Sequence, residues 1–268
     1  MGMRWIWALA AALTLAAGAA AADYREGFSA YLRRDYAAAI AAWTPAAEAG
    51  DLDSQFALGL LAEEGNAGAP DPATAARWYE MAALQGDVRA QSNLGAILAA
   101  GVGLDPDYAE ARRWLAAAAE QGDLAATYQL GRLHEQGLGG AADLPEALRL
   151  YTRAADQNHP GAQFALGAMH AAGHGVAADA TAALGFYRAA ANQAHPEALL
   201  ALIDIYRQGL GVPQSQITAL MWATLAASRG IPEAIEARAA LEAALPEADI
   251  TEARRRVGTC VMSRFETC

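Results

Sequence analysis

Histidines are the side chains in this sequence best suited to acid–base chemistry or metal binding. Either role needs several such groups, or histidines with carboxylates, to converge on one point. Their spacing argues against convergence, because two pairs repeat at intervals of 36 residues and the members of each pair are then expected one structural unit apart. We interpret them as packed or turn residues, with His174 the one expected to project: His134, His159, His170, His174 and His195. No Ser-His-Asp or Cys-His constellation stands out, so the sequence predicts no catalytic residue, metal or cofactor.

Cysteines occur only at positions 260 and 268, within the last nine residues. In an oxidising compartment Cys260 and Cys268 could close a short loop as a disulfide. A metal pair and two free thiols are the alternatives, although two sulfurs alone seldom hold a metal that requires four ligands. We predict the disulfide.

Four Gly-x-Gly elements resemble phosphate-binding loops at first sight. A dinucleotide fingerprint needs a preceding strand and a third glycine that opens a helix, and a P-loop needs a lysine; neither condition is met. Glycine also supplies the positive φ that tight turns between helices require. We therefore predict inter-helix turns at 101–103, 137–139, 173–175 and 209–211.

A 36-residue repeat organises the chain around these elements. Its clearest landmark is a Leu-Gly pair that recurs without insertion or deletion, with isoleucine replacing glycine in the last copy: Leu58-Gly59, Leu94-Gly95, Leu130-Gly131, Leu166-Gly167 and Leu202-Ile203. Self-similarity at such a period is typical of solenoid architectures. The expected fold is all-α.

Each repeat reads as two helices. The first carries an amphipathic stripe such as Ala90, Leu94, Ile97 and Leu98 and is expected to end at a glycine. The second is expected to start at an oxygen-bearing capping residue. The first helices are expected to end at Gly65, Gly101, Gly137, Gly173 and Gly209. The second helices are expected to start at Asp71, Asp107, Asp143, Asp179 and Ser215.

The predicted organisation has four parts. Residues 1–22 are expected to form a signal peptide, 23–52 an N-terminal helical hairpin, and 233–268 a C-terminal helical cap. Between them lie five repeats, at 53–88, 89–124, 125–160, 161–196 and 197–232. Atypical terminal units are expected because an end unit has one face without a neighbour.

The N-terminus predicts export. Arg4 precedes an apolar run from Trp5 to Ala17, and small residues Ala20 to Ala22 provide a cleavage pattern. The run is short for a membrane span of about 20 residues, so stable membrane insertion after cleavage is not expected; an uncleaved anchor is the alternative. The formal net charge of −11 argues against a nucleic-acid partner, since an acidic protein repels phosphate backbones. We expect a periplasmic or secreted protein.

These landmarks resemble the Sel1-like repeat family, relatives of the tetratricopeptide repeats, and the hairpin at 23–52 resembles a tetratricopeptide-like unit. The motif is carried by Ala162, Leu166, Gly167, Met169, Gly173, Gly175, Asp179, Ala183, Phe186, Tyr187, Ala190 and Ala191. The resemblance implies a right-handed α-solenoid that binds proteins, often in bacterial envelopes and in regulation or assembly. Some exported relatives with a cysteine pair in each repeat are linked to β-lactam binding; the repeats here contain no cysteine.

A binding surface is predicted where the repeats differ from one another. On each first helix the positions opposite the packing stripe vary between units, and in tetratricopeptide-like stacks this face lines the concave groove. Aromatic and arginine residues are frequent anchors of protein interfaces. The candidates are Phe56, Glu63, Tyr128, Arg132, Glu135, Phe164, Asp204 and Arg207. The alternative is that the aromatic residues fill space between neighbouring first helices.

The sequence thus predicts a non-enzymatic scaffold of the bacterial envelope that binds a protein or peptide on its concave face. An envelope hydrolase or cell-wall-ligand binder, similar to the cysteine-rich relatives, is the alternative. A structural assembly factor that acts through its convex face or its ends is a third possibility.

Overall fold

The structure, a computed structural model, describes residues 24–262, and this range is built from helices joined by short turns, without strands. None of these helices combines the length and apolar character that a bilayer crossing requires. In chain order they are α1 (24–32), α2 (Tyr36–Glu48), α3 (Leu52–Glu64), α4 (Pro72–Leu84), α5 (Val88–Ala100), α6 (Tyr108–Glu120), α7 (Leu124–Gln136), α8 (Leu144–Ala155), α9 (Pro160–Ala172), α10 (Ala180–Asn192), α11 (Pro196–Gln208), α12 (Gln216–Ala227), α13 (Pro232–Ala244) and α14 (Glu247–Met262).

The packing divides the chain into two compact units, one ending at Ala141 and the other beginning at Ala142. In the first, each helix from α2 to α7 packs against its neighbour along the chain, and α5 also touches α7. In the second, α8 to α13 pack in succession and α14 packs on α12. Each unit is therefore a stack of antiparallel helical hairpins, as the repeat predicts.

The helix boundaries fall where the capping residues predict them. All five predicted glycines end their first helices in the left-handed conformation, with φ between 64° and 75°. At Gly101 a Cβ would also lie 2.3 Å from the Pro106 ring, so a larger residue is excluded by space as well as by backbone conformation. All five predicted side chains at the second helix starts accept a hydrogen bond from a first-turn N–H.

The glycine of the Leu-Gly pair marks the closest approach of the two helices in a hairpin. A Cβ on Gly59 or Gly167 would lie 2.6 or 2.8 Å from the ring of Tyr79 or Tyr187, respectively. Both tyrosines are buried. The glycine therefore makes room for a large side chain from the second helix, which fills the core between layers.

Glutamines at equivalent positions of three repeats form hydrogen-bonded pairs, in each of which one glutamine is buried. The Gln55 amide donates to the Ala47 carbonyl of α2 at 2.9 Å, and its oxygen accepts from Gln85 Nε2 at 2.7 Å. The same pairing recurs from Gln121 to Gln91 and from Gln193 to Gln163, at 2.8 and 2.9 Å. Each pair satisfies polar groups that would be costly to bury alone. The sequence contains a signal for these pairs, because the glutamines at each of the two positions recur at multiples of 36 residues.

The predicted C-terminal cap contains two helices among the described residues, α13 over Pro232–Ala244 and α14 over Glu247–Met262. Cys260 lies on α14 with its side chain buried in the core of the second unit. Its predicted disulfide partner, Cys268, and the predicted signal peptide, 1–22, lie outside the described residues. The disulfide and the signal peptide therefore remain predictions.

Candidate functional site

Two of the predicted binding residues, Phe56 and Glu63, support the buried Tyr79 in the first unit. The half-buried Phe56 ring lies 5.6 Å from the Tyr79 ring, and the Arg89 guanidinium lies over its other side at 4.3 Å. The Glu63 carboxylate accepts a hydrogen bond of 2.7 Å from the Tyr79 hydroxyl. Burial and this hydrogen bond raise the pKa of Tyr79, so the phenol stays protonated. Both residues therefore contribute to packing between helices.

Phe164 has an equivalent position in the second unit. Its ring lies 5.6 Å from the Tyr187 ring and stacks on the His195 ring at 5.1 Å. Phe164 is half-buried, as Phe56 is. The space-filling alternative for these aromatic residues thus has direct contacts in its favour, while their role in binding remains a prediction.

Arg132 lies at the mouth of a cavity between the first helices α5 and α7. The cavity has a volume of about 300 Å³ and is lined by Ala96, Ala99, Tyr108, Arg132 and Leu138, among others. Arg132 is exposed and forms no ion pair with the described residues. Tyr128 and Glu135, the other predicted residues of α7, are half-buried. The cavity therefore combines apolar and polar walls, the latter including Gln129 and Gln136, with one uncompensated positive charge.

Asp204 lines the equivalent cavity of the second unit, between α9 and α11. This cavity is larger, about 450 Å³, and its walls include Ala171, Ala180, Ala201 and Leu210. Asp204 accepts an ion-pair hydrogen bond of 2.7 Å from Arg207. The charge of Asp204 is therefore compensated by Arg207, which does not itself line the cavity.

The two cavities are related by two repeat periods. Ala99 corresponds to Ala171, and Leu138, in the turn that closes one side, corresponds to Leu210. Tyr108 and Gln129 are replaced by the smaller Ala180 and Ala201, in keeping with the larger volume of the second cavity. The residue at the mouth changes from Arg132 to Asp204, which reverses its charge. One architecture thus presents two different chemical surfaces.

The Gly-x-Gly turns have a packing role. A Cβ on the second glycine of each turn would approach the start of the second helix of the preceding hairpin. The separations are 3.1 Å for Gly103 to Pro72, 2.3 Å for Gly139 to Tyr108, 2.8 Å for Gly175 to Leu144 and 2.3 Å for Gly211 to Ala180. The motif therefore connects neighbouring hairpins, which agrees with its interpretation as a turn.

The histidines lie at separate places in the fold. His159 caps α9, where its Nδ1 accepts from the Ala162 N–H at 3.2 Å. His170 stacks on Phe186, and His174 is exposed in the turn after α9. Among residues 24–262, no three His, Cys, Asp or Glu side chains are placed to hold a metal ion.

His195 occupies the same capping position in the next hairpin but makes no capping hydrogen bond. Its Nδ1 lies 3.2 Å from a carboxylate oxygen of Glu197. Burial lowers the pKa of His195, and the Glu197 charge offsets only part of this effect. The ring is therefore held neutral near pH 7, which suits its stacking on Phe164.

A further cavity, of about 410 Å³, lies in the second unit among α10, α11, α12 and α14. None of the binding residues predicted from the sequence lines it. It is lined by three arginines and one glutamate, and the arginines come from helices that are distant in sequence: Arg188, Glu252, Arg255 and Arg256. Their convergence could not be read from spacing, because α14 lies outside the repeat.

Comparison with known proteins identifies the architecture. The Sel1 repeat profile matches residues 52–87, 88–123, 124–159, 160–195 and 197–231. A Sel1 repeat protein from Oxalobacter formigenes has a similar structure, with 30% identity, a TM-score of 0.70, and coverage of 81% of this chain and 86% of that protein. A search of curated protein sequences gave no match.

A protective antigen present in uropathogenic Escherichia coli strains, displaying an SLR fold, is also similar. It has 29% identity and a TM-score of 0.76 over 86% of this chain, and the chain spans about half, 50%, of its length. These relatives and the repeat matches confirm the predicted all-α solenoid with a 36-residue period. Repeats of this kind are commonly non-catalytic scaffolds for protein interaction. The chain belongs to the Sel1 repeat family.

Proposed function

We propose that the chain is a non-enzymatic scaffold of the bacterial envelope that binds a protein or peptide on the first-helix face. The observation that carries this proposal is the pair of equivalent cavities between neighbouring first helices. Arg132 and Asp204, two residues predicted from variation between repeats, line them.

The cavities suit side chains of a bound polypeptide. Volumes of about 300 and 450 Å³ can hold one or two side chains. The walls of the α9–α11 cavity are mainly apolar, whereas those of the α5–α7 cavity combine alanines and leucines with polar side chains. Interface energy is commonly concentrated where an anchor side chain enters such a pocket. A helical repeat array is a rigid support for anchor pockets of this kind.

The charges at the mouths favour different anchors. Arg132 has no ion-pair partner among the described residues, so it supports an acidic or amide anchor at the α5–α7 cavity. Asp204 is already paired with Arg207, so the larger α9–α11 cavity is better suited to an apolar anchor with a polar edge. Complementary charge then selects the partner more than it sets affinity.

The envelope location rests on the sequence of residues 1–22, which has the pattern of a signal peptide. Fractionation of cells that express the full chain tests it. We expect the protein in the periplasmic or extracellular fraction with an N-terminus at Asp23. Recovery in the cytoplasm with Met1 intact would contradict this location.

Site-specific photo-crosslinking tests the binding face. The photoreactive residue p-benzoylphenylalanine is placed at Ala171, which lines the α9–α11 cavity, and separately at Ala172, the next exposed residue, which does not. We expect a discrete crosslinked partner from position 171 and not from 172. The partner is then purified and its affinity measured.

Two variants decide whether the partner uses the cavities. Ala171→Trp fills the α9–α11 cavity and Arg132→Glu reverses the charge of the α5–α7 cavity. Each is expected to weaken binding by about tenfold or more. Ala172→Trp and Arg25→Glu, an exposed arginine of α1, are the matched controls. Equal affinity of all four variants would refute binding on the first-helix face.

A further inference from the structure

The arginine cavity of the second unit carries a local charge opposite to that of the protein. Three guanidinium groups and one carboxylate line it, which leaves a surplus of two positive charges in a chain whose formal net charge is −11. Hydroxyl groups of Tyr206, Thr218 and Thr259 complete its polar lining. Such a surplus raises the local concentration of anionic groups.

Arg188 is incompletely satisfied within the described part of the chain. Its guanidinium donates to the Tyr206 hydroxyl and lies 6.0 Å from that ring, but it has no carboxylate partner. The Nε atom is buried and lacks an acceptor. A buried donor without an acceptor is unfavourable, so binding of an oxyanion to the Arg188 guanidinium would satisfy hydrogen-bonding capacity that the protein leaves unused.

Glu252 fixes the other two arginines. Its carboxylate accepts from Arg255 Nε at 2.7 Å and Arg255 Nη2 at 2.8 Å, and from Arg256 Nε at 2.8 Å. Hydrogen bonds from Arg255 and then Arg256 lower the pKa of Glu252 to about 2, so the carboxylate stays charged. Arg256 also donates to the Thr218 hydroxyl at 3.2 Å. The arginines are thereby held in place with further N–H groups still available.

We propose that this cavity binds a carboxylate-bearing, acidic segment of a protein partner. The planar guanidinium fork matches carboxylate oxygens, and arginine is favoured over lysine at such contacts. The cavity opens to solvent, with Arg255 65% exposed, and therefore suits a passing polypeptide better than an enclosed small molecule. The site uses none of the residues of the two first-helix cavities and does not depend on their proposed function.

Isothermal titration calorimetry on the full chain provides the test. The probe is an acetylated and amidated hexaglutamate peptide, compared with hexaglutamine and with inorganic phosphate. We expect hexaglutamate to bind in low salt despite the net negative charge of the protein, and hexaglutamine not to bind. Binding should weaken as salt screens the arginines.

Three variants assign the binding to the cavity. Arg188→Gln and Arg255→Gln should each weaken hexaglutamate binding by about tenfold. Arg149→Gln is the matched control, because Arg149 is 60% exposed and pairs with Glu146 three residues earlier, as Arg255 pairs with Glu252. Since Arg255 is exposed, its variant is informative even if Arg188→Gln fails to fold, as judged by circular dichroism.

Four results would overturn the proposal. They are no hexaglutamate binding to the wild-type chain, an equal loss in Arg149→Gln, displacement of the peptide by phosphate at comparable concentration, and loss in Arg132→Glu with none in Arg188→Gln or Arg255→Gln. The third would make the cavity a site for small oxyanions. The fourth would move the acidic segment to the α5–α7 cavity, supporting the first-helix proposal while refuting this one.

Discussion

The ring of Tyr187 lies directly against Gly167, where a Cβ would come within 2.8 Å of ring carbons Cδ1 and Cε1. In the next hairpin the corresponding positions are Ile203 and Ala223, both buried in the same core cluster. The large side chain of this layer therefore comes from the first helix, as Ile203, instead of from the second helix, as Tyr187. The last repeat therefore departs from the Leu-Gly motif without losing volume at this layer.

This exchange predicts strong coupling between the two positions. Gly167→Ala should cost about 2 kcal/mol of unfolding free energy, because the buried ring has little room to move. The double variant Gly167→Ile and Tyr187→Ala should cost less than the sum of its two single variants, by about 1 kcal/mol or more, in denaturant titrations. Gly185→Ala is the control: its Cβ would meet nothing within 4 Å, so the variant should be stabilising. Simple additivity would contradict the prediction.

Ala194 is a second local target, since it takes a left-handed conformation with φ of 62° in the turn before α11. Glycine has the corresponding place in most turns of this type. We predict that Ala194→Gly stabilises the protein by about 1 kcal/mol, measured by thermal and chemical unfolding. Asn158→Gly, at φ of 63°, should have a smaller effect because asparagine tolerates this conformation. A destabilising Ala194→Gly would contradict the interpretation.

Asp87 joins a helix cap to an ion pair in the first unit. It is 8% exposed, accepts from the Ala90 N–H at 2.9 Å and from Arg89 at 2.6 Å, and Arg89 also reaches Asp53 at 2.9 Å. Asp87→Ala should cost about 2 kcal/mol, against about 1 kcal/mol for the exposed cap variant Asp107→Ala. Similar costs for the two variants, measured by denaturant titration, would show that the Arg89 contact contributes little.

The same residue should contribute to acid sensitivity. Burial alone would raise the pKa of Asp87, but the hydrogen bonds from Arg89 and the Ala90 N–H outweigh it and lower the pKa below 3.8. Its stabilising contribution is therefore complete above about pH 4 and is lost as the pH falls through the lower folded value. Unfolding free energies at several acidic pH values should show a shallower decline in Asp87→Asn than in the wild type.

His195 should give a pH dependence at higher pH. Burial lowers its pKa below 6.5, so as the pH falls below 6.5 the unfolded chain binds a proton before the folded chain does. Stability should therefore decline below this pH until the folded pKa is passed. Glu197→Gln should enlarge the decline by removing the charge that favours protonation, and His195→Gln should reduce it. The opposite order in denaturant titrations from pH 8 to 5 would refute this assignment.

Local features of the fold could be predicted from sequence because each depends on residues close in the chain. Gly101 and Asp107 specify a helix end and a helix start through backbone conformation and a capping hydrogen bond. Phe56 was harder to place: its variable position suggested a binding surface, but its contacts with Tyr79 and Arg89 come from two other helices. Arg188 and Arg255 could not be associated at all, since they are brought together by the packing of α14 on α12 outside the repeat.

The second glycines of the four Gly-x-Gly turns restrict how this protein can change over evolutionary time. Each lies against the first turn of a neighbouring second helix, as Gly139 does against the Tyr108 carbonyl, so a larger residue at that position would crowd the neighbouring hairpin. Selection on these four positions therefore preserves the spacing between hairpins. Substitutions that create new recognition are expected on the exposed helix faces, where they leave this spacing unchanged.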